Sequence, residues 1–400
     1  MQICFFEDDF SSAFLPLTYL KPVDQLRMGI LTISEKWERH LQQSANHRIA
    51  RSYLADVYKS QPVDSEQDVL LINSRFLPSD SIITAISALN HSNALYQDDE
   101  LIALLVPGAG FNAIPDSPEK PLRLSSGRER LETEAIGIRH PWDIFSINGA
   151  QIRADLRVMN PPLMDQKNLP VGCIVSGDEP VYAEEGAELE PGVIIIADGP
   201  VYLGRKAKIM AGTVVRGPQA ICDNAVVKMG SQLYADSTIG PWCKVGGELN
   251  NVVFQAYSNK GHGGFLGNSI IAEWCNLGAA TNCSNLKNNY SNVRVYDIAS
   301  DDYQDTGLTF CGTIMGPHTT AAIDTKLNTG SNIGMFCNIV ADGFAPKHLP
   351  SFSWLAGNNT LTYDPQKAIV TARRMMARRK VEVSPEYEAL ILNLHSQLVG

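Results

Sequence analysis

The fold is decided by the stretch "LGRKAKIMAGTVVRGPQAICDNAVVKMGSQLYADSTIGPWCKV", residues 203–245, in which an aliphatic residue stands at every sixth position. These eight positions are Leu203, Ile209, Val215, Ile221, Val227, Leu233, Ile239 and Val245. The position four residues after each of the first seven, through Ile239, is small, with Gln219 as the exception: Ala207, Thr213, Gln219, Ala225, Ser231, Ser237 and Cys243. Neither a helix nor a plain alternating strand gives a strict period of six. A triangular coil of three short strands does, so the stretch predicts a parallel β-helix built from hexapeptide repeats.

The repeat returns in a second phase further along the chain, at Met315, Ala321, Leu327, Ile333 and Ile339. Between the two blocks, Phe265, Ile271 and Leu277 keep the spacing of six but are shifted by two positions relative to the first block. The phase breaks at about residues 247–264 and 283–310. Loops that leave a rigid solenoid are where binding usually occurs. With 18 residues in a coil, residues 180–345 predict about nine coils.

The two ends of the chain have other patterns. Strand-like runs such as "DVLLIN" alternate with helical ones such as "LTISEKWERHLQQ" in the first 145 residues, which predicts an α/β domain with a mostly parallel sheet. We predict an α/β domain over 1–150, a Pro-rich linker over 151–170, the β-helix over 171–345 and a helical extension over 346–400. The extension contains a helix that begins at Asp364 and Pro365.

Composition excludes several classes of protein. The net charge of −10 argues against general nucleic-acid binding, which needs a basic surface. No apolar run has the length of a membrane span, and the acidic N-terminus does not resemble a signal peptide. The eight cysteines form no C-x-x-C pair, which favours reduced thiols in the cytoplasm, with Cys275 and Cys283 in packing roles.

The stretch "NKGHGGFLGNSI", residues 259–270, places His262 among four glycines at the first phase break. An imidazole titrates near neutrality and can take the proton of an attacking amine. Glycines allow a substrate to approach and leave backbone N–H groups free to stabilise an oxyanion. From the residues alone, His262 is a catalytic base or a hydrogen-bonded structural histidine, and both readings stay open. For His318, in "MGPHTT", we favour a structural role at a corner of a coil.

An α/β domain followed by a hexapeptide β-helix resembles the bifunctional N-acetylglucosamine-1-phosphate uridylyltransferase / glucosamine-1-phosphate N-acetyltransferase family. "KGHGGFLG" and "NLGAATNCSN" resemble two segments of its acetyltransferase site. "LTYLKPVDQLRMGILTISEKWE", "CSNLKNNYSNVRV" and "PSFSW" resemble the Bacteroidetes branch of sugar nucleotidyltransferases. The resemblance covers nearly the whole chain and implies a left-handed β-helix, a homotrimer and acetyl-CoA as cosubstrate.

The resemblance also implies roles for single residues. His262 would be the catalytic base and Lys260 would approach the sugar phosphate. Phe265 takes the position of a substrate-binding tyrosine without its hydroxyl group, and Asn285 aligns with a sugar-binding asparagine. Leu286 replaces a second tyrosine of the family. These two replacements affect the expected identity of the acceptor more than the expected type of reaction.

The N-terminal domain departs from the family where a glycine-rich phosphate loop is expected. The segment "EDDFSSAFLPLTYLKP" after the first strand has no glycine. Lys21 resembles the lysine that follows the family's loop, and Arg27 is a second candidate for a phosphate contact. Asp8 and Asp9 are candidates for Mg²⁺ ligands, with solvated loop acids as the alternative. The nucleotide substrate would be UTP or dTTP.

Six basic residues in or near the C-terminal helix form a candidate phosphate clamp, with Arg373 and Arg374 as the predicted contacts to the cosubstrate. The cluster consists of Lys367, Arg373, Arg374, Arg378, Arg379 and Lys380. The alternative is a helix that covers the end of the β-helix, its charges solvated.

The sequence fits two functions and argues against a third. The first is a two-domain enzyme of cell-envelope sugar metabolism that acts on small-molecule sugar phosphates and nucleotides. The second is a nucleotidyltransferase whose β-helix serves assembly or regulation. The third, a metal hydratase, needs zinc-binding histidines at a spacing that this chain lacks, and we discard it.

Overall fold

The computed structural model describes residues 1–399, which form two compact units. The first unit comprises Met1–Phe14, Leu20–Leu26 and Leu31–Arg139. The second comprises Leu15–Tyr19, Arg27–Ile30 and the chain from His140 onward. The division after Arg139 lies before the limit of 150 that the sequence suggested, and part of the assigned linker is helical. Within the described residues, no helix has both the length and the apolar character needed to cross a bilayer.

The first unit is an α/β domain around a six-stranded sheet. Its strands are β1 (Gln2–Phe6), β2 (His47–Ile49), β3 (Asp68–Asn73), β4 (Phe76–Leu77), β5 (Asn93–Gln97), β6 (Glu100–Pro107), β7 (Glu129–Glu132) and β8 (Ile136–Gly137). Its helices are α1 (Ile33–Leu41), α2 (Asp80–Ser87), α3 (Gly108–Asn112) and α4 (Lys120–Ser125), with 3-10 turns at Asp9–Phe14, Val23–Gln25 and Ser52–Leu54. The order in the six-stranded sheet is β2-β1-β3-β6-β5-β7, parallel except where β6 runs antiparallel to β3 and β5. The remaining strands, β4 and β8, form a separate antiparallel pair.

Local sequence explains how α1 begins. The Thr32 hydroxyl accepts a hydrogen bond from the Glu35 N–H, and the Glu35 carboxylate accepts one from the Thr32 N–H. This reciprocal capping satisfies two backbone donors that the first helical turn would otherwise leave unpaired.

The second unit is a parallel β-helix of about ten turns, preceded and followed by helices. The leading helices are α5 (Pro141–Ser146) and α6 (Asn148–Met159), with a 3-10 turn at Gln166–Asn168. The coil strands are β9 (Ile174–Ser176), β10 (Val181–Ala183), β11 (Glu188–Leu189), β12 (Ile194–Ile196), β13 (Val201–Leu203), β14 (Lys208–Ile209), β15 (Val214–Arg216), β16 (Gln219–Ile221), β17 (Val226–Val227), β18 (Gln232–Leu233), β19 (Ser237–Ile239), β20 (Lys244–Val245), β21 (Glu248–Phe254), β22 (Asn259–Lys260), β23 (Phe265–Ile271), β24 (Asn276–Leu277) and β25 (Asn282–Cys283). The chain then leaves the coil for a hairpin of β26 (Arg294–Asp297) and β27 (Asp302–Asp305).

The coil resumes after the hairpin and ends in two helices. Its last strands are β28 (Thr313–Met315), β29 (Thr320–Ala321), β30 (Lys326–Leu327), β31 (Ser331–Ile333), β32 (Asn338–Val340), β33 (His348–Leu349) and β34 (Ser353–Ala356), with β35 (Asn359–Thr362) antiparallel to β34. The final helices are α7 (Pro365–Ala377) and α8 (Pro385–Val399). The predicted fold class, an α/β domain followed by a parallel β-helix, is confirmed.

The prism interior contains the residues that the period of six selects. All eight aliphatic positions of the first block and all five of the second belong to one continuous buried core. Successive coils in the regular part are eighteen residues apart, as where Ile209 pairs with Val227 and Val227 with Val245. Each side chain therefore stacks on its equivalent in the coil before it.

Where the phase shifts, Leu266 and not Phe265 continues the interior column. At the first phase break the coil shortens, so Leu233 pairs with Leu249 sixteen residues later, and Leu249 with Leu266 seventeen later. Leu266 is fully buried in the core cluster, whereas Phe265 lies partly exposed outside it. The physical reason is that side chains alternate along a strand, so a change of one residue in coil length exchanges inside and outside.

One corner of the prism carries a ladder of rings on residues with left-handed backbone. Trp242, Tyr257, Trp274, His318, Phe336 and Phe352 occupy equivalent corner positions, all with φ between 52° and 63°. Neighbouring rings stack, with centroids 4.2 Å apart for Tyr257 and Trp274 and 4.6 Å for His318 and Phe336. His318 is buried in this ladder, and its Nε2 lies 2.9 Å from the Tyr387 hydroxyl of α8. The structure thus places His318 at a corner, as its sequence context suggested.

We expect Leu266→Ala to lower the free energy of unfolding by about 2–5 kcal/mol, because it opens a cavity in a closely packed prism. Phe265→Ala, one residue away, should cost about 1 kcal/mol or less, since that ring is partly solvated. Urea denaturation followed by circular dichroism compares the two variants. A larger loss for Phe265→Ala would contradict the register described above.

The ladder makes stability depend on pH through His318. Burial lowers the pKa of His318 from 6.5 to about 3, so the unfolded chain binds the additional proton between these values. The contribution of the neutral ring is therefore complete above about pH 6.5 and is lost as the pH falls towards 3. In His318→Phe, the fall of the melting temperature between pH 6 and 4 should become shallower. Identical slopes for both proteins would argue against a buried neutral imidazole.

Candidate functional site

His262 lies at the surface, in a loop between β22 and β23. Its side chain is exposed, and no hydrogen bond to its ring is found among residues 1–399. A Cβ added to Gly261 or Gly263 would meet no atom within 4 Å, so the outer side of this loop is open. Gly264 is different, because its φ of +112° and a clash with the Thr281 carbonyl oxygen leave room only for glycine. The loop can therefore present the imidazole to an incoming molecule.

Two other predicted site residues lie close together beyond the loop. A Cβ on Gly267 would come within 2.6 Å of both the Phe265 ring and the Asn285 amide nitrogen, so both side chains reach the face of Gly267 on which that Cβ would lie. Asn285 donates a hydrogen bond of 2.8 Å to the Asn268 side-chain oxygen. Phe265 is held through its backbone N–H, which donates to the Asn282 side-chain oxygen at 2.8 Å. The substrate contacts predicted for Phe265 and Asn285 stay predictions.

Lys260 occupies a position inside the prism. Its neighbour across the ladder is Val245, an interior aliphatic residue of the preceding coil. The lysine is completely buried, and its ammonium group donates to the carbonyl oxygens of Gly246, His262 and Gly264 at 3.1, 3.1 and 2.7 Å. Burial lowers its pKa to about 8, which leaves it largely protonated at pH 7. Its Nζ atom faces the inner side of the histidine loop, and the predicted approach to a sugar phosphate stays a prediction.

A basic cleft of about 400 Å³ lies between α7 and one face of the prism. The face contributes Lys244, Asn259, Asn276 and Thr320, the outward residues of four paired strands. The helix side contributes Thr371, Arg374, Met375, Arg378 and Arg379, and the rings of Tyr257 and Trp274 complete the lining. Arg379 also donates to the Asn259 side-chain oxygen at 3.1 Å.

Electrostatics in this basic cleft favour an anion. Burial, together with the charges of Arg379, Lys228 and Arg378, lowers the pKa of Lys244. Such mutual repulsion among cations is relieved when a phosphate binds between them. Asn259 lines the cleft and belongs to the same strand as Lys260. His262 follows Asn259 by three residues, so the Cα atoms of Asn259 and His262 are at most about 11 Å apart.

The two predicted phosphate contacts in α7 have different surroundings. Arg374 lines the basic cleft. Arg373 instead points to α8, where its guanidinium donates two hydrogen bonds of 2.6 Å to the Glu388 carboxylate. Arg378 belonged to the basic cluster recognised in the sequence and lies one turn after Arg374, on the same side of the helix. Lys244, Tyr257 and Trp274 were missed, because coil residues give no sign in sequence of the helix that will cover them.

In the first unit, Asp8, Asn73 and Glu100 meet at the edge of the sheet where β1 and β3 end. The buried guanidinium of Arg75 lies between two of them, with nitrogen–oxygen distances of 2.7 Å to Asp8 and 2.7 Å to Glu100. Asn73 donates to the same Asp8 oxygen at 2.8 Å. A small cavity of about 160 Å³ opens here, and Asp9 and Asp99 add to its acidic lining.

The Mg²⁺ ligation predicted for Asp8 and Asp9 stays a prediction. As the side chains are placed, one Asp8 oxygen is shared by Arg75 and Asn73, and the other accepts from the Phe10 N–H. Among residues 1–399, no group of three or more carboxylates, histidines or cysteines is arranged to hold a metal ion. The donors present here therefore do not fit a metal, and no reaction step is derived through one.

Lys21 and Arg27 belong to different units. Lys21 is buried in the first unit, where its ammonium group donates to the Gln25 carbonyl oxygen at 3.2 Å. Arg27 belongs to the second unit, where the Gln255 side chain pairs with its backbone at 2.7 and 2.9 Å. Its guanidinium donates to the Ile30 carbonyl oxygen. Their phosphate contacts stay predictions, and both side chains have structural hydrogen bonds.

A second cavity of the first unit was not indicated by any sequence motif. It measures about 340 Å³ and is lined by Arg48, Arg51, Ser52, Tyr58, Ser60, Ser117 and six other residues, of which Asp116 is the one acid. Arg51 is fixed by two hydrogen bonds of 3.0 Å to the Glu7 carboxylate, and Arg48 by one of 3.0 Å to Asp24. Hydroxyl groups and held guanidinium groups are suited to a polar or phosphorylated ligand.

The cysteines near the histidine loop are part of the core. All eight cysteines are free thiols, and Cys275 and Cys283 are buried in the prism interior. Burial raises the pKa of Cys283 to about 12 and that of Cys275 still further, so neither is a thiolate at neutral pH. A covalent thiol intermediate is therefore not supported, in agreement with the packing role predicted for them.

Comparison with known proteins bears mainly on the first unit. Residues 3–161 match the family described as "Sugar nucleotidyl transferase". A solved structure of Arabidopsis UDP-N-acetylglucosamine acyltransferase is similar with a TM-score of 0.26 and 15% identity, over 57% of this chain and 83% of that one. That likeness is too remote to carry an argument. No curated protein matches. The family match supports a transferase that acts in nucleotide-sugar synthesis, whereas the bifunctional family stays a prediction.

We expect the basic cleft to bind polyvalent phosphates. Millimolar inorganic pyrophosphate should raise the melting temperature, and the double variant Arg374→Gln/Arg378→Gln should weaken binding by about tenfold or more, since each charged hydrogen bond contributes about 1.5–3 kcal/mol. Arg373→Gln is the matched control, because its side chain is directed to Glu388. Equal losses in the control and the double variant would place the anion elsewhere.

Proposed function

We propose that this chain is a transferase of nucleotide-sugar synthesis with two activities. The β-helix would transfer the acetyl group of acetyl-CoA to the amine of an amino-sugar phosphate. The first unit would join a sugar-1-phosphate to the nucleotide of UTP or dTTP. The observation that carries the proposal is the match of residues 3–161 to sugar nucleotidyl transferases. The acetyl transfer rests on the exposed His262 and on the basic cleft, which is lined by Asn259 of the strand that leads into the histidine loop.

The proposed acetyl transfer would use these groups in order. The phosphates of acetyl-CoA would bind Lys244, Arg374 and Arg378, and the pantetheine arm would run along the prism face towards the loop. There the sugar amine attacks the thioester carbonyl carbon, and the carbonyl electron pair moves onto oxygen. When the oxyanion collapses, the carbon–sulfur bond breaks and the thiolate leaves. His262 takes the proton from the amine and returns it to the thiolate sulfur.

The nucleotidyl transfer would need no covalent enzyme intermediate. A phosphate oxygen of the sugar-1-phosphate attacks the α-phosphorus of the nucleotide, and the bond to the β-phosphate breaks to release pyrophosphate. Arg48 and Arg51, in the second cavity of the first unit, are the candidates for binding these phosphates. This unit has no glycine loop after β1, and the acidic cavity beside Arg75 would repel phosphates.

A second candidate function is nucleotidyl transfer alone, with the β-helix used for assembly or regulation. The observation in its favour is that the family match ends at residue 161, before the coils begin. The proposal also includes a homotrimer, acetyl-CoA as cosubstrate and a cytoplasmic location. Light scattering on the purified protein measures the assembly directly.

Two assays on the purified chain test the proposal. The first supplies acetyl-CoA with glucosamine-1-phosphate and measures free thiol. We expect thiol release to fall by about 10²- to 10⁴-fold in His262→Ala, the range for loss of a general base. His91→Ala, which changes a partly exposed histidine of the first unit, should retain full activity.

The second assay supplies UTP or dTTP with sugar-1-phosphates and Mg²⁺ and measures pyrophosphate. Pyrophosphate release without thiol release would favour the second candidate function. Thiol release that is undiminished in His262→Ala would remove this residue from its proposed role. An absence of both products with all the substrates tried would overturn the proposal as a whole.

A further inference from the structure

Lys260 places a charged side chain inside the prism, where the other residues of its column are apolar. The residues equivalent to Lys260 in the neighbouring coils are Val245 and Leu277, both apolar and buried. A buried ammonium group is costly unless hydrogen bonds replace its water. Here the replacement comes from backbone carbonyl oxygens, and three of the four belong to consecutive residues of the histidine loop: His262, Gly263 and Gly264.

The direction of these carbonyl groups fixes the direction of the neighbouring N–H groups. In a trans peptide the C=O of one residue and the N–H of the next point in opposite directions. The carbonyls of His262 and Gly263 point towards the ammonium group at 3.1 and 3.4 Å. The N–H groups of Gly263 and Gly264 must therefore point away from it, towards the open side of the loop.

These two N–H groups have no acceptor within residues 1–399. The next N–H in the series, that of Phe265, donates to Asn282. Open space borders Gly263, and the exposed His262 precedes it directly in the chain. Successive N–H groups directed to one side form a site for a small anion.

We propose that Lys260 is a positioning residue. Its buried ammonium group draws the loop carbonyls inward and so turns the Gly263 and Gly264 N–H groups outward beside the His262 imidazole, where they bind the oxyanion of the acyl transfer. This inference rests on the acetyl transfer proposed above for its chemistry. The orientation of the loop by Lys260 can be measured without that reaction.

Lys260→Met tests the proposal, because methionine keeps an unbranched apolar stem and removes the charge. Leu277→Met is the matched control, since it places methionine one coil further along in the same interior column at little cost. Circular dichroism and melting temperature establish that both variants are folded. Two measurements then compare them with the parent chain.

The first measurement is amide hydrogen exchange at Glu248 and Ala280. Their N–H groups donate to the carbonyl oxygens of Gly264 and Gly263, at 3.2 and 3.1 Å. If Lys260 holds these carbonyls in place, exchange at both amides should become about tenfold faster in Lys260→Met and stay unchanged in Leu277→Met. Unchanged protection in folded Lys260→Met would overturn the positioning role, whether or not the chain is an acetyltransferase.

The second measurement is the steady-state rate of thiol release. Loss of oriented oxyanion donors should lower kcat by about 100-fold and leave KM for acetyl-CoA within about threefold, because the basic cleft is untouched. An unchanged kcat together with faster exchange would show that Lys260 orders the loop without contributing to oxyanion binding, and would overturn that half of the proposal. If the parent chain releases no thiol, the acetyl transfer itself fails, and the exchange measurement alone decides the role of Lys260.

Discussion

The interior of a three-sided prism has space for one side chain from each strand at each level, and this limit on space governs the second unit. It forces aliphatic residues into columns and sends the alternate residues of each strand to the surface. Whatever binds to the prism must use those outward residues or the loops at the corners. The basic cleft is an example, since Lys244, Asn259, Asn276 and Thr320 each precede an inward residue of the same short strand.

Lys260 satisfies the same limit with a different chemistry. Its methylene groups fill the column between Val245 and Leu277, and its charged end reaches the backbone of the adjoining loop. A valine in this position would complete the core but would leave the loop carbonyls without a common partner. A polar group inside the fold and an exposed histidine outside it are thus two parts of one local arrangement.

Much of the β-helix could be predicted from the sequence, wherever a single physical rule determined the position of a residue. The period of six identified the interior of both regular blocks, and the corner position predicted for His318 is the one it occupies. Prediction failed where the count of residues in a coil changed. No local signal distinguishes Phe265 from Leu266, because both are apolar and only the length of the preceding corner decides which one turns inward. Likewise, the partner of Arg373 depends on how α8 packs on α7, which helical periodicity does not reveal.

The excursion between β25 and β28 has a consequence for how this protein can vary. Ile271 pairs with Met315 and Leu277 with Ala321, each forty-four residues later, yet the columns continue across the gap as if one coil followed the next. The entropy of closing such a loop grows only with the logarithm of its length. The exposed tip of the hairpin, residues 299–302, is therefore the tolerant insertion point, whereas Val293 and Val295 are buried and tie the base of the hairpin to the scaffold.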